Sequence, residues 1–299
     1  MLGKEHCWRA RSRPRTRELL HHRYAREHAK SYEPEPCVHA PVAVATTRRF
    51  TAISAGNRFT CALAHDGKAY CWGSRSYGHV GAGDRTHRHP EVVAVDAPAP
   101  FTQISADGSL ACGLSNAGDI YCWGRDRSSA ATRVFAPVHF SHVSRGFGQT
   151  CAITTDGRAW CWGSNHAGEL GTGAQANFAG DPVPRAVSGT EPFAVIDAGF
   201  LSTCVIATSG ALYCWGSGSV LGAAAPDQCF NVDAFSSCAL APVRVSLEHV
   251  TAVVGGAMHR CALVAGGALY CWGSNEAGAF GDGTRNSTKT PRRVRGEAN

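Results

Sequence analysis

Five pairs of cysteines stand ten residues apart along this chain: Cys61 and Cys71, Cys112 and Cys122, Cys151 and Cys161, Cys204 and Cys214, Cys261 and Cys271. Each second cysteine is followed by Trp-Gly, at Trp72-Gly73, Trp123-Gly124, Trp162-Gly163, Trp215-Gly216 and Trp272-Gly273. A glycine falls six residues after each first cysteine, at Gly67, Gly118, Gly157, Gly210 and Gly267, and an aromatic precedes each second one, at Tyr70, Tyr121, Trp160, Tyr213 and Tyr270. From one first cysteine to the next the intervals are 51, 39, 53 and 57 residues. A repeat of that period is one supersecondary unit that cannot bury its apolar surface alone, and the period is that of a propeller blade with variable loops.

The spacing converts into geometry. A β-hairpin over Cys61–Cys71 with the three-residue loop His65-Asp66-Gly67 sets 63 opposite 69, 62 opposite 70 and 61 opposite 71. Gly67 then takes the left-handed position of a type I turn with a G1 bulge, which costs a residue without Cβ nothing. The two cysteines come out opposite each other on one face, whereas a two-residue turn would send them to opposite faces. Cross-strand Cβ atoms are roughly 5 Å apart, within reach of a disulfide after small adjustment. On the other face the residues opposite the aromatics are small, Ala62, Gly113, Ala152, Val205 and Ala262, as a packed pair requires. Leu63, Leu114, Ile153, Ile206 and Leu263 share the cysteine face, so neither side is polar and both must be covered.

Upstream of each hairpin lies a β-type run such as Phe50–Gly56 or Val250–Gly256, and before that a Pro-led strand: Pro41–Val44, Pro90–Val93, Pro137-Val138, Pro182-Val183, Pro242–Val245 and a last one, Pro291–Val294, that opens a sixth unit. Proline belongs at a strand's first residue or on an edge. Four short strands per unit result, and no helical period is visible after residue 40.

Phrases such as Thr60-Cys61-Ala62-Leu63-Ala64-His65-Asp66-Gly67-Lys68-Ala69-Tyr70-Cys71-Trp72-Gly73 and Gly163-Ser164-Asn165-His166-Ala167-Gly168-Glu169-Leu170-Gly171-Thr172-Gly173 resemble the repeat of the regulator-of-chromosome-condensation superfamily, and more narrowly its cysteine-bearing bacterial branch. The resemblance runs from residue 41 to about 290 and implies an all-β fold, a β-propeller of four-stranded blades, usually seven in that family. Five complete repeats therefore read as a truncated six- or seven-bladed ring, with the propeller domain at 37–299 and an irregular basic segment at 1–36.

Residues 1–36 hold nine Lys/Arg against five Asp/Glu, leaving twenty against eighteen for the rest of a chain whose formal charge is +6. The body is nearly neutral, which argues against nucleic acid as a partner because phosphate binding needs a concentrated basic face. No apolar run approaches the roughly 18 residues of a membrane-spanning helix. His6-Cys7-Trp8 resembles the end of a hairpin, and Cys37–Val44 matches Cys238–Val245 in register, yet residues 9–36 carry no repeat signal. This pattern points to a misassigned start or a frameshifted stretch after a lost blade. Residues 1–20 show no apolar core of a signal peptide. Ten cysteines poised to pair are nonetheless foreign to a reducing compartment, so the chemistry points to the cell envelope or the extracellular space.

Zinc needs closely spaced knuckles, and pairs ten apart on separate repeats do not supply them. Disulfides fit better; closing a loop of about eleven residues contributes roughly 2.5 to 3 kcal/mol in the chain-entropy view. Cys229 and Cys238 flank an insertion in the fourth unit and are expected to staple it; Cys7 and Cys37 stay unassigned. No Ser-His-Asp, Cys-His or His-x-x-x-His pattern sits on a framed element, Gly281-Asp282-Gly283-Thr284 lacks the lysine and helix of a phosphate loop, and Asp84, Glu169 and Asp282 are scattered carboxylates. The reading is therefore a non-enzymatic protein-interaction scaffold without cofactor or metal, exported, binding a protein or other macromolecule through its loops. Two loops depart most from the unit length, Ala174–Asp181 and Leu221–Ala241, and Phe230 and Phe235 in the second are the candidate contacts. The resemblance also implies two alternatives, guanine-nucleotide exchange on a small GTPase and inhibition of a secreted enzyme.

Overall fold

The structure is a computed structural model that describes residues 43–73, 79–82, 89–124, 128–175, 181–231 and 234–294. The N-terminal segment at 1–36, its boundary with 37–299, Cys7 and Cys37 lie outside the described residues. The chain divides into two compact units, Met1–Thr46 and Thr47–Asn299, and the second contains the five cysteine repeats.

Among its described residues that unit is all β, five antiparallel sheets in chain order. The first holds β1 (Phe50–Ala55), β2 (Phe59–Ala64), β3 (Ala69–Gly73) and β4 (His89–Ala94). The second holds β5 (Phe101–Asp107), β6 (Leu110–Ser115), β7 (Ile120–Gly124) and β8 (Ser128–Arg133), and the third β9 (Phe140–Arg145), β10 (Gln149–Thr154), β11 (Ala159–Gly163) and β12 (Asp181–Ala186). The fourth has five strands, β13 (Phe193–Ala198), β14 (Ser202–Ala207), β15 (Leu212–Ser217), β16 (Asp227–Asn231) and β17 (Ala234–Val245), in the order β13-β14-β15-β17-β16. The fifth holds β18 (Val250–Gly255), β19 (His259–Val264), β20 (Leu269–Gly273) and β21 (Thr288–Arg293). This is a β-propeller, and each sheet is a blade.

Every cysteine hairpin has the register that its spacing demands. Cys61 faces Cys71, Ala62 faces Tyr70 and Leu63 faces Ala69, and the other four hairpins repeat the pattern. The turn closes with Gly67 N–H donating to Ala64 O at 3.0 Å and Ala64 N–H to Lys68 O at 2.9 Å, with Gly67 at φ 79°. All five pairs are disulfide-bonded with Cα atoms 4.1 Å apart, close to the narrow spacing of a non-hydrogen-bonded antiparallel pair.

The Pro-led strands belong elsewhere than the sequence suggests. Pro90 lies in β4, Pro182 in β12, Pro242 in β17 and Pro291 in β21, and each of these strands pairs with the Cys-Trp-Gly strand before it. They close a blade instead of opening the next. Pro291–Val294 therefore completes the fifth blade, where Val294 N–H donates to Leu269 O, and no sixth unit begins there. The outer edge of each third strand needs a partner for its backbone groups, and the next extended segment in the chain supplies it at the blade's rim, where an absent proline N–H costs least. Pro137 sits outside any strand, in the link between β8 and β9.

Successive blades interlock through a recurring junction. Phe101, Phe140, Phe193 and Val250, at the start of a first strand, donate their N–H to Gly67, Gly118, Gly157 and Gly210 O of the preceding blade at 2.7 to 2.9 Å. Around this tie the disulfide of one blade packs against the Phe and Trp of the next; Cys61, Leu63 and Cys71 cluster with Phe101 and Trp123, and Cys112, Leu114 and Cys122 with Phe140 and Trp162. Glycine-rich loops lie flat on the following blade's indole. A Cβ on Gly171 would stand 2.7 Å from Trp215 Nε1, and Trp215 and Trp272 donate to Glu169 O and Val220 O at 2.7 and 2.9 Å. Strands β10 and β14, inside the stack, are buried at all six positions.

Trp272 is fully buried while Trp72, on the first blade, is half-buried. Trp272→Ala should cost about 3 to 5 kcal/mol and Trp72→Ala about 1 to 2 kcal/mol, read from urea unfolding followed by far-ultraviolet circular dichroism.

Candidate partner-binding surfaces

The insertion of the fourth blade is a β-ribbon. Strand β16 pairs with the first half of β17, so that Asp227 faces Cys238, Cys229 faces Ser236 and Phe230 faces Phe235. Cys229 and Cys238 are disulfide-bonded, their Cα atoms 5.8 Å apart across a diagonal of the ladder. Both are fully buried, whereas Phe230, one residue on, points the other way and is 46% exposed. The alternation is that of any strand: the sulfur anchors the inner face of the ribbon and thereby presents the aromatic. Phe235 stands opposite on the backbone; its side chain lies outside the described residues.

The two loops that the sequence singles out meet at this ribbon. Gln175 donates its Nε2 to Phe230 O at 2.6 Å and to His166 O at 2.6 Å, and its Oε1 accepts from Phe230 N–H at 3.1 Å. Gly173 N–H donates to Leu240 O at 2.8 Å, and Leu240 N–H donates to Asp227 Oδ2 at 2.9 Å. A ribbon held at its disulfide, at Leu240 and at Gln175 keeps Phe230 in one place. Residues 176–180 of the first loop lie outside the described residues.

A second surface was not visible in the spacing. The short links between first and second strands carry Phe147, Phe200 and Met258 in three consecutive blades. The rings of Phe147 and Phe200 are 4.7 Å apart between centroids, and Phe147 and Met258 are 48% and 43% exposed. Phe147 N–H donates to Gly199 O, which ties the two loops at the same end of their blades. The available signal was a large apolar residue inside a glycine-marked turn, at one repeat position in Gly146-Phe147-Gly148 and Gly199-Phe200-Leu201 and one residue later in Gly256-Ala257-Met258.

Beneath this ridge runs a buried polar network. Arg260, 1% exposed, donates Nη1 to Asp197 Oδ2 at 2.7 Å, Nε to Ser202 Oγ at 3.0 Å and Nη2 to Ser202 O at 2.6 Å. Arg145 Nη1 donates to Gln149 O and Thr150 Oγ1, and Gln149 Nε2 donates to Gly199 O at 2.9 Å. Burial pushes the Asp107 carboxyl upward, opposed by the Gly108 N–H that it accepts. The Gln149 bond crosses from the third blade to the fourth and the Arg260 bonds join the fifth to the fourth, which places these two side chains in joints between blades. Among the described residues no three His, Cys, Asp or Glu side chains stand together as metal ligands, and all described cysteines are in disulfides.

Two sequence profiles, both described as the regulator of chromosome condensation (RCC1) repeat, match the chain, one at residues 50–78 and 140–169 and the other at 156–206 and 266–299. These segments carry the RCC1 repeat. Human E3 ubiquitin-protein ligase HERC2 is 26% identical over 260 residues, which cover 81% of this chain and 5% of HERC2. Human HERC3, a probable E3 ubiquitin-protein ligase, is 26% identical over 253 residues, 82% of this chain and 19% of that protein. The chain thus spans a small part of the curated relatives it matches. Among solved structures, human WBSCR16 superposes with a TM-score of 0.70 at 20% identity, over 86% of this chain and 70% of that one. Prp20p from Saccharomyces cerevisiae, whose structure is described together with its binding to Gsp1p and histones, gives 0.55 at 16% identity over 82% and 77%. These likenesses show the propeller fold. RCC1-repeat proteins are protein-interaction scaffolds, and among the described residues of this one no helix is long and apolar enough to cross a membrane.

The RCC1 loop at 165–175, which positions Phe230, encloses Glu169, 1% exposed. Its Oε2 accepts Ala167 N–H at 2.7 Å, and burial pushes its carboxyl above the usual range. The folded chain therefore holds this proton to higher pH than the unfolded chain, so the Glu169 contribution lowers stability as pH rises from about 4.3 through the raised value. Glu169→Gln, neutral throughout, should be at least as stable as the native chain at pH 8 and should lose its advantage at pH 4.5. Urea midpoints of both proteins across that range measure the difference.

Proposed function

We propose that this RCC1-repeat chain is a non-enzymatic scaffold of the cysteine-bearing branch, acting outside the cell or in its envelope, that presents the ribbon of the fourth blade to a protein partner. The observation that carries the reading is the position of Phe230: an exposed aromatic held by a buried disulfide behind it and by the Gln175 amide beside it. An aromatic fixed before binding loses little freedom on docking, and such residues dominate interface energetics. The six disulfides support an oxidising compartment, since a reducing cytosol would open them.

Affinity capture from extracellular and envelope fractions tests the partner assignment. The double substitution Phe230→Ala with Phe235→Ala should lower recovery of a bound protein by at least about ten-fold with the melting temperature unchanged; equal recovery removes the ribbon as the contact. Peptide mapping of the native protein without reductant should show twelve cysteines in six bridges, and free thiols at all of them would sink the extracellular reading.

A second reading, exchange on a small GTPase, draws on the fold shared with Prp20p. It requires an intracellular, reduced protein, so the same mapping separates the two.

A further inference from the structure

Glu169 carries a buried carboxyl that the fold of its loop does not call for. In the third blade the loop 165–175 is stitched by Asn165, whose Oδ1 accepts Leu170 N–H at 3.1 Å and whose Nδ2 donates to Ala174 O at 2.9 Å. In the fifth blade Asn275 stitches the same turn, accepting Phe280 N–H at 2.9 Å and donating to Thr284 O at 3.0 Å, with Ala279 in the place of Glu169. Val220 stands in that place in the fourth blade, where its carbonyl accepts Trp272 as the Glu169 carbonyl accepts Trp215. The carbonyl of this position serves the stack of blades, and the carboxyl is an addition to it.

The addition is made where charge is least welcome. Strands β14 and β15 bring Thr203 and Trp215 against Glu169, and β17 brings Ala239, whose carbonyl stands against Gly168. Among the described residues the charge that acts on the carboxyl is that of His166 in the same loop, and it is outweighed by burial. Asp227 of β16 is turned to Leu240 N–H, and Arg244 of β17 to Glu248. A carboxylate so placed regains water only if its loop lifts.

The same loop ends on the ribbon. Gln175 engages both backbone groups of Phe230, and Gly173 N–H donates to Leu240 O, so a loop that lifts at Glu169 draws both ties away. We propose that Glu169 is a proton-operated latch: with its proton it keeps loop 165–175 closed and Phe230 clamped, and as the proton passes to solvent the loop opens and Gln175 releases Phe230. The latch regulates the contact proposed above and rests on that reading of the ribbon. Its direction follows from burial, which favours the neutral acid in the closed loop. The aromatic is therefore fixed on the acid side of the Glu169 titration, where docking costs least ordering, and freed on the alkaline side.

Hydrogen exchange of the full chain with its disulfides intact, between about pH 4.5 and 8.5, tests this without any partner. The segment that carries Phe230 is followed by mass spectrometry, and comparison with Glu169→Gln at each pH cancels the intrinsic pH dependence of exchange. The two proteins should exchange alike at the acid end. At the alkaline end the native segment should exchange faster, by about ten-fold for each unit by which burial raises the carboxyl, while the Cys61–Gly73 hairpin stays as protected as in the variant. Gln175→Ala should exchange fast in this segment at every pH. A native-to-variant ratio that does not change with pH, a rise shared by all five hairpins, or a Gln175→Ala segment as protected as the native one at the acid end would each overturn the latch. A partner contact made elsewhere on the molecule would leave these rates as they are, so failure of the ribbon as the contact and failure of the latch are told apart.

Discussion

The turn at Gly67, Gly118, Gly157, Gly210 and Gly267 is the constraint on which the rest of this protein depends. A three-residue loop with a left-handed glycine sets one register, and a slip of one residue would carry every cysteine to the opposite face from its partner. That register puts the disulfide on one side of each hairpin and the aromatic on the other. The glycine of each of the first four turns then offers its carbonyl to the next blade, so a local turn also decides how neighbouring sheets are spaced.

The two faces of each blade have different work. The cysteine face, with Leu63 and its equivalents, is a flat apolar surface braced by a covalent bond; the aromatic face carries Phe, Tyr and Trp into it. Polar joints lie above these cores: Arg260 with Asp197 and Ser202, Gln149 with Gly199. A buried guanidinium left alone would be costly, and here its hydrogen-bonding groups meet oxygens of the adjoining blade. Rigidity of this kind suits presentation. The fourth-blade ribbon adds one more disulfide and an amide clamp to a framework already held at short intervals, and these hold Phe230 in place.

The RCC1 repeats say how such a chain is built and leave open what it meets. The relatives that it matches differ widely in length, and it spans only a small share of HERC2 and HERC3. The surfaces in which this chain departs from its own repeat are where its particular chemistry is to be sought: the ribbon around Phe230 and the ridge of Phe147, Phe200 and Met258.

Residue spacing alone determined the hairpins, their register, the five repeated disulfides and the Cys229–Cys238 staple, because each depends on neighbours within a dozen residues whose geometry a turn type dictates. The unusual length of its loop also singled out Phe230 as a candidate contact. The sequence placed the Pro-led strands in the wrong blade, since the partner of an extended segment is chosen by hydrogen-bonding edges that a one-dimensional pattern does not display. Nor could it show that Gln175 reaches Phe230, or that Trp72 is half-buried where Trp272 is fully buried. Identical local sequences acquire different surroundings according to which blade, if any, lies beside them, and only the tertiary structure decides that.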